Sequence, residues 1–354
     1  MTRSEAQVRE GIERARRARP RLRDEHITMA HGAGGKASAT LVDALFRPAF
    51  ANPVLDRLTD AAVLPGGLAL TTDAYVVKPL RFPGGSIGTL AVHGTVNDLA
   101  VSGARPLGLS AAFVLEEGLA VETLRAEVEA AARAAEDAGV AIVTGDTKVV
   151  ERGKADGMYV VTSGIGRVEL SGLDPAGLRP GDRVLCSGYV GDHGTAIMLA
   201  RGDLDLEADV ASDTRSLWPF ASALGAAAGD GLRVMRDATR GGVATVLNEL
   251  AMASDVGVVV HESAVPVRPV VHGACELLGL DPLYVANEGV LVAVVAPEVA
   301  DAALAALGDL PGGEHAAVIG EVAAEPPGMV LVRTGIGGHR ILDLLIGDPL
   351  PRIC

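Results

Sequence analysis

The chain has 354 residues, of which 49% are hydrophobic and 3% aromatic, and its formal net charge at pH 7 is −14. This length predicts two domains, and with so few aromatic residues the core must consist mainly of Ala, Val, Leu and Ile. The acidic balance argues against a general nucleic-acid binder, which needs a basic face. The three cysteines form no CxxC pair, which excludes a disulfide scaffold and a zinc ribbon.

Residues 1–25 contain eight arginines and five acidic residues. No hydrophobic stretch follows Arg16-Arg17, so this segment is not predicted to be a secretion signal. No apolar run approaches the ~18 residues of a transmembrane helix. We therefore expect a cytoplasmic protein with an arginine-rich N-terminal extension that makes no membrane contact.

Short β-branched runs alternate with alanine-rich helical stretches along the rest of the chain. In chain order, the pattern predicts a strand at 68–72, a helix at 86–101, a strand at 107–115, a helix at 121–138, and strands at 140–144 and 158–165. After a Gly- and Pro-rich junction at 171–182 it predicts a strand at 183–187, helices at 192–201 and 241–254, strands at 256–261 and 290–295, a helix at 298–307 and a strand at 328–333. Strands mixed with helices at this spacing indicate an α/β or α+β fold.

A glycine-rich string, His31-Gly32-Ala33-Gly34-Gly35-Lys36, precedes the first of these elements. Glycines let backbone N–H groups approach a phosphate, and a lysine complements its charge. The Walker A spacing is absent, so an ordinary glycine turn is about as good an interpretation of this string alone.

Several acidic residues lie beside Gly or Thr at predicted element ends: Asp60, Asp73, Asp98 (after Asn97) and Asp146. Carboxylate oxygens suit Mg²⁺, which binds nucleotide phosphates through a few carboxylates and waters. Each Asp alone is as well explained as a helix or turn cap.

Three strings in the second half suggest further site residues. Asp192-His193-Gly194-Thr195 and Asp237-Ala238-Thr239-Arg240-Gly241-Gly242 each precede a predicted helix, whose N-terminus favours anions. Asn287-Glu288-Gly289 places a carboxylate directly before an apolar strand. The alternatives are that each Asp or Thr caps its helix, that His193 is a structural histidine and that Glu288 is a turn residue.

The last residue is Cys354, and two prolines in the preceding nine residues prevent a regular helix or central strand there. We expect residues 346–354 to form a mobile tail, long enough at about 3.3–3.6 Å per residue to enter a cleft in the same or a neighbouring subunit. An accidental terminal cysteine is the alternative. Cys186 and Cys275 lie in apolar contexts and are interpreted as core residues.

Together these strings resemble the HypE family, the carbamoyl dehydratases of [NiFe]-hydrogenase maturation. HypE belongs to the superfamily of aminoimidazole ribonucleotide synthetase, selenophosphate synthetase and thiamine-monophosphate kinase. The strings HGAGG, VNDLAVSGARP, VTGDTKVV, DHGTAIML and MRDATRGGVATVLNE carry the resemblance, and the terminal Pro-Arg-Ile-Cys is the most diagnostic of the family.

The resemblance implies a two-domain PurM-like fold that dimerises through its N-terminal sheets. The predicted division is an extension at 1–25, an ATP-binding and dimerisation domain at 26–170, a C-terminal domain at 171–345 and the tail at 346–354. It also implies ATP with Mg²⁺, a carbamoyl group delivered to the terminal cysteine by HypF, and transfer of the resulting cyanide to the iron of a HypC–HypD complex.

The resemblance assigns roles to individual residues. It makes Cys354 the carrier of the substrate, with Lys148 and Glu288 as the pair for proton transfer. It assigns the metal to Asp60, Asp73, Asp98 and Asp146. It assigns nucleotide or phosphate contacts to Gly32, Gly34, Gly35, Asp73, Asn97, Asp98, Asp146, Asp237 and Arg240.

Two other functions fit parts of the sequence. A selenophosphate synthetase carries Cys or selenocysteine near its glycine loop, but here no Cys precedes Cys186. A non-catalytic carrier of a carbamoyl or cyano thiol needs no ATP site, so the acidic residues and the glycine loop argue against it.

Overall fold

The structure, a computed structural model, describes residues 22–202, 208–347 and 352–354. Its first half contains a five-stranded sheet of spatial order β1-β2-β7-β5-β6, in which all pairs are antiparallel except β5 with β6. Those strands, together with the short β3–β4 hairpin, are β1 Ala62–Leu64, β2 Leu68–Tyr75, β3 Arg81–Phe82, β4 Gly85–Ser86, β5 Ala104–Glu116, β6 Ile142–Val150 and β7 Met158–Val168.

Two short helices precede the sheet in the chain, α1 Lys36–Leu41 and α2 Arg47–Phe50, joined by a π-helical turn Val42–Phe46. One face of the sheet is covered by α3 Ile87–Val101, against which α4 Val121–Asp137 packs. The α3 sequence is apolar on nearly all sides, and thirteen of its residues are buried, as expected for a helix in the core of a larger protein. On the opposite sheet face Leu70, Leu107 and Ile165 are each more than 40% exposed, so this face is uncovered in the single chain.

The second half contains a seven-stranded mixed sheet of order β14-β13-β10-β12-β8-β11-β9. Its strands are β8 Arg183–Cys186, β9 Leu232–Asp237, β10 Gly257–His261, β11 Leu291–Val295, β12 Ala317–Ala323, β13 Met329–Arg333 and β14 His339–Leu342. Its helices are α5 Asp192–Ala200, α6 Trp218–Ala228, α7 Gly242–Ser254, α8 Pro269–Leu278 and α9 Ala300–Gly308. All five β11 residues are buried, which explains the continuous apolar run in the sequence.

Short 3-10 helices complete the described chain: Met29–Gly32, Leu55–Arg57, Gly229–Gly231, Glu262–Ala264, Pro282–Tyr284 and Pro297–Val299. No helix among the described residues is long and apolar enough to cross a membrane. Most of the predicted extension lies outside the described residues, as do residues 348–351 of the predicted tail.

Every strand and helix predicted from the sequence is present, with ends shifted by a few residues. One prediction was wrong in a way that matters for the site. The strand predicted at 140–144 was expected to end at Asp146, but β6 runs to Val150 and carries Asp146 at its middle. The pairing of β6 with the long strand β5 continues past Asp146, which the local sequence does not reveal.

The two halves meet along α3, which packs against both β9 and α6. Asn97 links them directly, because its amide donates to the carbonyls of Arg215 and Glu288, each at 3.0 Å, and accepts from Leu217 N–H at 2.8 Å. The cleft between the halves therefore has the end of α3 as one wall and the ends of β9 and α7 as the other.

Candidate active site

Three carboxylates from different parts of the chain converge in this cleft. Asp60 precedes β1, Asp98 lies on α3 and Asp237 ends β9, and each offers an oxygen within 4.8 Å of the others. Hard oxygens gathered at this spacing are the ligands that Mg²⁺ prefers. The chemistry of this set therefore fits a divalent cation.

The electrostatics of the cluster point the same way. Burial, and then the charges of Asp60 and Asp73, raises the pKa of Asp237 to about 8. Burial likewise raises the pKa of Asp98 well above its usual range, with Asp73 and Asp237 adding repulsion. A carboxyl with a pKa of about 8, like that of Asp237, holds its proton at neutral pH unless a cation offsets its charge. A bound cation would keep these oxygens ionised.

Asp73 lies beside this cluster and borders the same cavity. It sits on β2 and accepts a hydrogen bond from the Tyr75 hydroxyl at 2.9 Å. The neighbouring Thr71 hydroxyl donates to Asp98 at 2.6 Å. Strand alternation places residues 71, 73 and 75 on one face, toward α3. Tyr75 fits there because α3 has Gly94 opposite it, where a Cβ atom would lie 2.0 Å from the tyrosine hydroxyl.

Two arginines supply positive charge at the acidic cleft. Arg236 pairs with Asp60 and also contacts Glu249 at 3.4 Å. Arg240 is on the loop between β9 and α7, and the negative charge of Cys354 raises its pKa, with Asp73 and Glu288 contributing further. Guanidinium groups placed this way suit phosphate oxygens.

The glycine-rich string and the Arg240 loop pack against each other. Arg240 donates from Nη1 to the Gly32 carbonyl at 2.6 Å, and Thr245 donates to the Gly34 carbonyl at 3.2 Å. On Gly35 a Cβ atom would lie 2.4 Å from the Leu345 carbonyl oxygen. Close backbone approach therefore explains why residues 34 and 35 are glycines. Gly32 instead faces open space and borders a cavity that Arg240 and Cys354 also line.

Glu288 is held in a rigid loop before β11. Asn287 accepts from Gly191 N–H at 2.7 Å and donates to the Ala238 carbonyl at 2.8 Å, and Asp213 accepts from the N–H groups of Glu288 and Gly289. Burial, reinforced by Asp213 and Asp237, raises the pKa of Glu288 well above its usual range. Its Oε1 has no hydrogen-bond partner among the described residues. A buried carboxyl oxygen without a partner, at the edge of a cavity, is suited to receive one from a ligand.

The chain terminus enters the same place. Val76 N–H donates to the Cys354 carbonyl at 3.1 Å and Lys78 N–H to the Arg352 carbonyl at 3.2 Å. Ile353 is only 4% exposed. Cys354 therefore borders a cavity of about 220 Å³ that also touches the acidic cluster. The lining of this cavity includes Asp60, Asp73, Asp98, Asp237, Arg240, Glu288 and Cys354.

Two predicted site residues lie elsewhere. Asp146 and Lys148 are exposed on β6, and Lys148 Nζ lies 2.7 Å from Asp146 Oδ2. Their cross-strand neighbours on β5 are Ala112 and Val114. The sheet order places β6 three strand spacings, about 14 Å, from β2 and Asp73.

The two residues also lie on the other face of the sheet. Paired residues share a face; Ala112 and Val114 pair in turn with Val161 and Tyr159 of β7. Those residues alternate with Thr162, whose hydroxyl donates into α3 at the Ala91 carbonyl. Asp146 and Lys148 thus lie on the uncovered face, whereas Asp73 lies on the covered face.

The sequence analysis does not single out Arg236, Tyr75 or Asp213, and it favours a structural role for His193. The signal for Arg236 was present, because it directly precedes Asp237 at the end of a buried strand. Asp213 lies in an irregular segment with no motif around it, so only the fold reveals its contact with the Glu288 loop.

Comparison with known proteins gives consistent matches. The AIR synthase related protein family matches over two segments, its N-terminal domain over residues 58–168 and its C-terminal domain over residues 179–332. A carbamoyl dehydratase HypE from Rhodobacter capsulatus is 54% identical over 339 residues, which cover 94% of this chain and 99% of the relative.

Solved structures agree with the sequence matches. A crystal structure of a HypE–HypF complex contains a chain 45% identical, with a TM-score of 0.83, covering 86% of this chain and 99% of that one. A structure of the hydrogenase maturation protein HypE in complex with ATP is 49% identical, with a TM-score of 0.79, covering 93% of this chain and all of that one.

Proposed function

We infer the function from the family of the chain, which belongs to the HypE carbamoyl dehydratases within the AIR synthase related proteins. It is an ATP-dependent dehydratase of hydrogenase maturation, and its α/β, PurM-like fold is the one predicted. The observation that carries the site assignment is the position of Cys354, which borders one cavity with the acidic cluster and Glu288. A selenophosphate synthetase is not favoured.

The reaction converts a carboxamide on the Cys354 sulfur to a thiocyanate. The amide oxygen, a poor leaving group, attacks the γ-phosphorus of ATP and ADP departs. The nitrogen then loses its protons, the C–O bond breaks, phosphate leaves with its electron pair, and S–C≡N remains. The net change is loss of one water from the carboxamide, taken up in the cleavage of ATP to ADP and phosphate.

Different residues of the cleft are assigned to different steps of this reaction. We assign Arg240 and the backbone of residues 32–35 to the phosphates, since they lie together beside Cys354. Glu288, with its unpartnered Oε1, is placed to accept a proton from the carboxamide nitrogen. Asn97 serves the site by fixing the Glu288 loop, because all its amide bonds go to backbone.

For the cation we propose Asp60, Asp98 and Asp237 as the ligand set, with Asp73 at its edge. Their oxygens converge, whereas Asp146, expected in this set, lies on the distant strand. Bound there, Mg²⁺ would neutralise phosphate charge and favour phosphoryl transfer.

We propose a homodimer formed through the uncovered face of the first sheet. That face carries exposed apolar side chains at Leu70, Leu107 and Ile165, and large exposed apolar surfaces mark interfaces. In such a dimer Asp146 and Lys148 of one chain would complete the cleft of the other. This arrangement would bring Lys148 to the substrate of the partner chain, whereas its position on the uncovered face keeps it away from the cleft of its own chain.

The remaining assignments follow from the family. HypF is the proposed carbamoyl donor, as the solved HypE–HypF complex suggests, and a HypC–HypD complex is the proposed cyanide acceptor. We place the reaction in the cytoplasm, where ATP is available and thiols stay reduced. We keep the division at 26–170 and 171–345, which the two sheets support.

Mass spectrometry of the C-terminal peptide tests the function. The protein carbamoylated on Cys354 is incubated with Mg-ATP, and the peptide is expected to lose the mass of one water. Persistence of the carboxamide while ATP is hydrolysed would contradict the proposal. Cys354→Ala should fold and bind ATP but accept no carbamoyl group, whereas Cys275→Ala, which removes a cysteine buried in the core, should be carbamoylated normally.

A further inference from the structure

The carbonyl of the penultimate residue has a dedicated partner inside the protein. His193, in the first turn of α5, places its Nε2 atom 2.7 Å from the Ile353 carbonyl oxygen. Its Nδ1 lies 2.8 Å from the Ser212 hydroxyl. The ring is fully buried and packs edge-on against Phe82 at a centroid distance of 5.6 Å. Both nitrogens are therefore engaged in one fixed orientation.

The partners define which nitrogen carries the proton. A carbonyl oxygen only accepts hydrogen bonds, so Nε2 must be the donor. The Ser212 oxygen accepts from Thr214 N–H at 3.2 Å and donates its own proton to Nδ1. Burial lowers the pKa of His193 to about 4, so the ring is neutral at physiological pH. This matches one donor and one acceptor.

The His193 bond holds the terminus near the proposed base. His193 Nε2 lies 4.0 Å from Glu288 Oε1, and the residue that follows the bonded carbonyl is Cys354. Backbone bonds from Val76 and Lys78 also hold the tail. Arg201 adds a further contact, donating from Nη2 to the Arg352 carbonyl at 2.7 Å. This contact is at the protein edge, whereas the His193 contact is in the interior.

We propose that His193 is a positioning residue that, through its Nε2–H bond to the Ile353 carbonyl, docks the terminus and sets Cys354 beside Glu288. The inference rests on the proposed function for its purpose, since only a substrate-bearing cysteine must be delivered there. It goes further by assigning delivery of the substrate to a side chain that makes no hydrogen bond to the reacting atoms.

Two amide substitutions at His193 distinguish the contact made by Nε2 from the contact made by Nδ1. In His193→Gln the amide nitrogen falls near the position of Nε2 and keeps the donor to the tail. In His193→Asn the shorter side chain reaches only Ser212. Release of Cys354 by carboxypeptidase Y measures docking, because the protease needs an undocked terminus and its rate follows the undocked fraction.

We expect Cys354 release from His193→Asn to be roughly five-fold faster than from the wild type, as for loss of one buried hydrogen bond. Release from His193→Gln should stay within about two-fold of the wild type. The thermal midpoint and ATP affinity should be similar in all three. The rate of single-turnover dehydration should fall by a smaller factor than the docking equilibrium, because this rate is proportional to the fraction of protein whose terminus is docked. The proposal would be overturned if folded His193→Asn released Cys354 at the wild-type rate, or if both variants released it equally fast.

If His193→Asn does not fold, Ser212→Ala decides, because it leaves the ring in place but without the donor that fixes its orientation. Faster release supports the proposal, and unchanged release overturns it. The protease assay needs no ATP. Slow release from a wild-type protein that fails to dehydrate its carboxamide would therefore refute the proposed function and leave the docking role intact.

Discussion

Gly34 and Arg240 lie so close that a Cβ atom on Gly34 would stand 2.6 Å from the Arg240 carbonyl oxygen. The glycine also has φ +71°, a backbone conformation that other residues adopt at a cost. The glycine-rich string and the Arg240 loop, 206 residues apart in sequence, thus form one structure. Arg240 is held over the mouth of the cleft by a contact that only glycine permits.

The first prediction concerns this contact. Gly34→Ala should lower the thermal midpoint by several degrees and weaken ATP binding about ten-fold or more, because the clash displaces Arg240. Gly139→Ala is the matched control, since this glycine has a similar φ of +66° but a Cβ atom there meets nothing within 4 Å. Thermal scanning and calorimetric titration with ATP measure both effects. Equal ATP affinities for the two variants would show that the loop contact does not position Arg240.

The second prediction follows from the pKa of Asp237, which burial and neighbouring acids raise to about 8. A raised folded-state pKa means that the folded chain holds a proton which the unfolded chain has released. The stability contribution is complete below about pH 4 and is lost as pH rises toward about 8. Metal-free protein should therefore become less stable across this range.

Asp237→Asn tests both halves of that argument. In EDTA at pH 8–9 the variant should melt a few degrees above the wild type, at roughly 2–4 °C per kcal/mol. In Mg²⁺ the wild type should gain stability and the variant should gain little. Asp230→Asn, at an exposed position, should behave as the wild type. A variant that keeps the full Mg²⁺ effect would remove Asp237 from the ligand set.

The third prediction concerns Glu288. Glu288→Gln removes a buried carboxyl whose pKa burial raises, so folding should be unharmed, while single-turnover dehydration should fall about 100-fold or more, as for loss of a general base. The peptide assay for thiocyanate measures the rate. Glu298→Gln, on the surface, is the control. Dehydration at the normal rate in Glu288→Gln would assign the proton transfer elsewhere.

Periodicity is a local signal, so the sequence predicts the strands and helices of both halves. Glycine-flanked acids are local signals too, so it singles out most of the acidic residues that the structure brings together in the cleft. Asp60, Asp98 and Asp237 each stood out beside an apolar element, although their mutual distance is a property of the fold. The role of Asn97 was not visible. It looked like part of a nucleotide motif, but it holds two halves of the chain together through backbone contacts more than a hundred residues away.

Asp146 and Lys148 show a different limit. Their string resembles the family motif, yet strand register decides which face they occupy, and register depends on pairing with β5. Nothing in the local sequence indicates that these residues lie opposite the cleft of their own chain. Conversely, Ile353 is apolar in a proline-broken tail, and only the structure shows the buried position it fills.

The last prediction tests whether Lys148 acts on the neighbouring chain. Lys148→Ala and Cys354→Ala should each abolish dehydration when present in every subunit. Mixed after dissociation, they form heterodimers in which the intact tail belongs to the chain that lacks the lysine. If the lysine serves the partner's cleft, these heterodimers are active at one site, and equal mixing should restore about a quarter of the wild-type yield of thiocyanate.

A lysine that serves its own chain's tail gives the opposite result, because no subunit then carries both groups and the mixture stays inactive. Lys154→Ala, on a turn outside the sheet, is the control and should need no complementation. Size-exclusion chromatography with light scattering of the mixture must show dimers for either result to count. An inactive mixture of confirmed dimers would place Lys148 in the cleft of its own chain by a movement of β6, and the proposed interface would have to be abandoned.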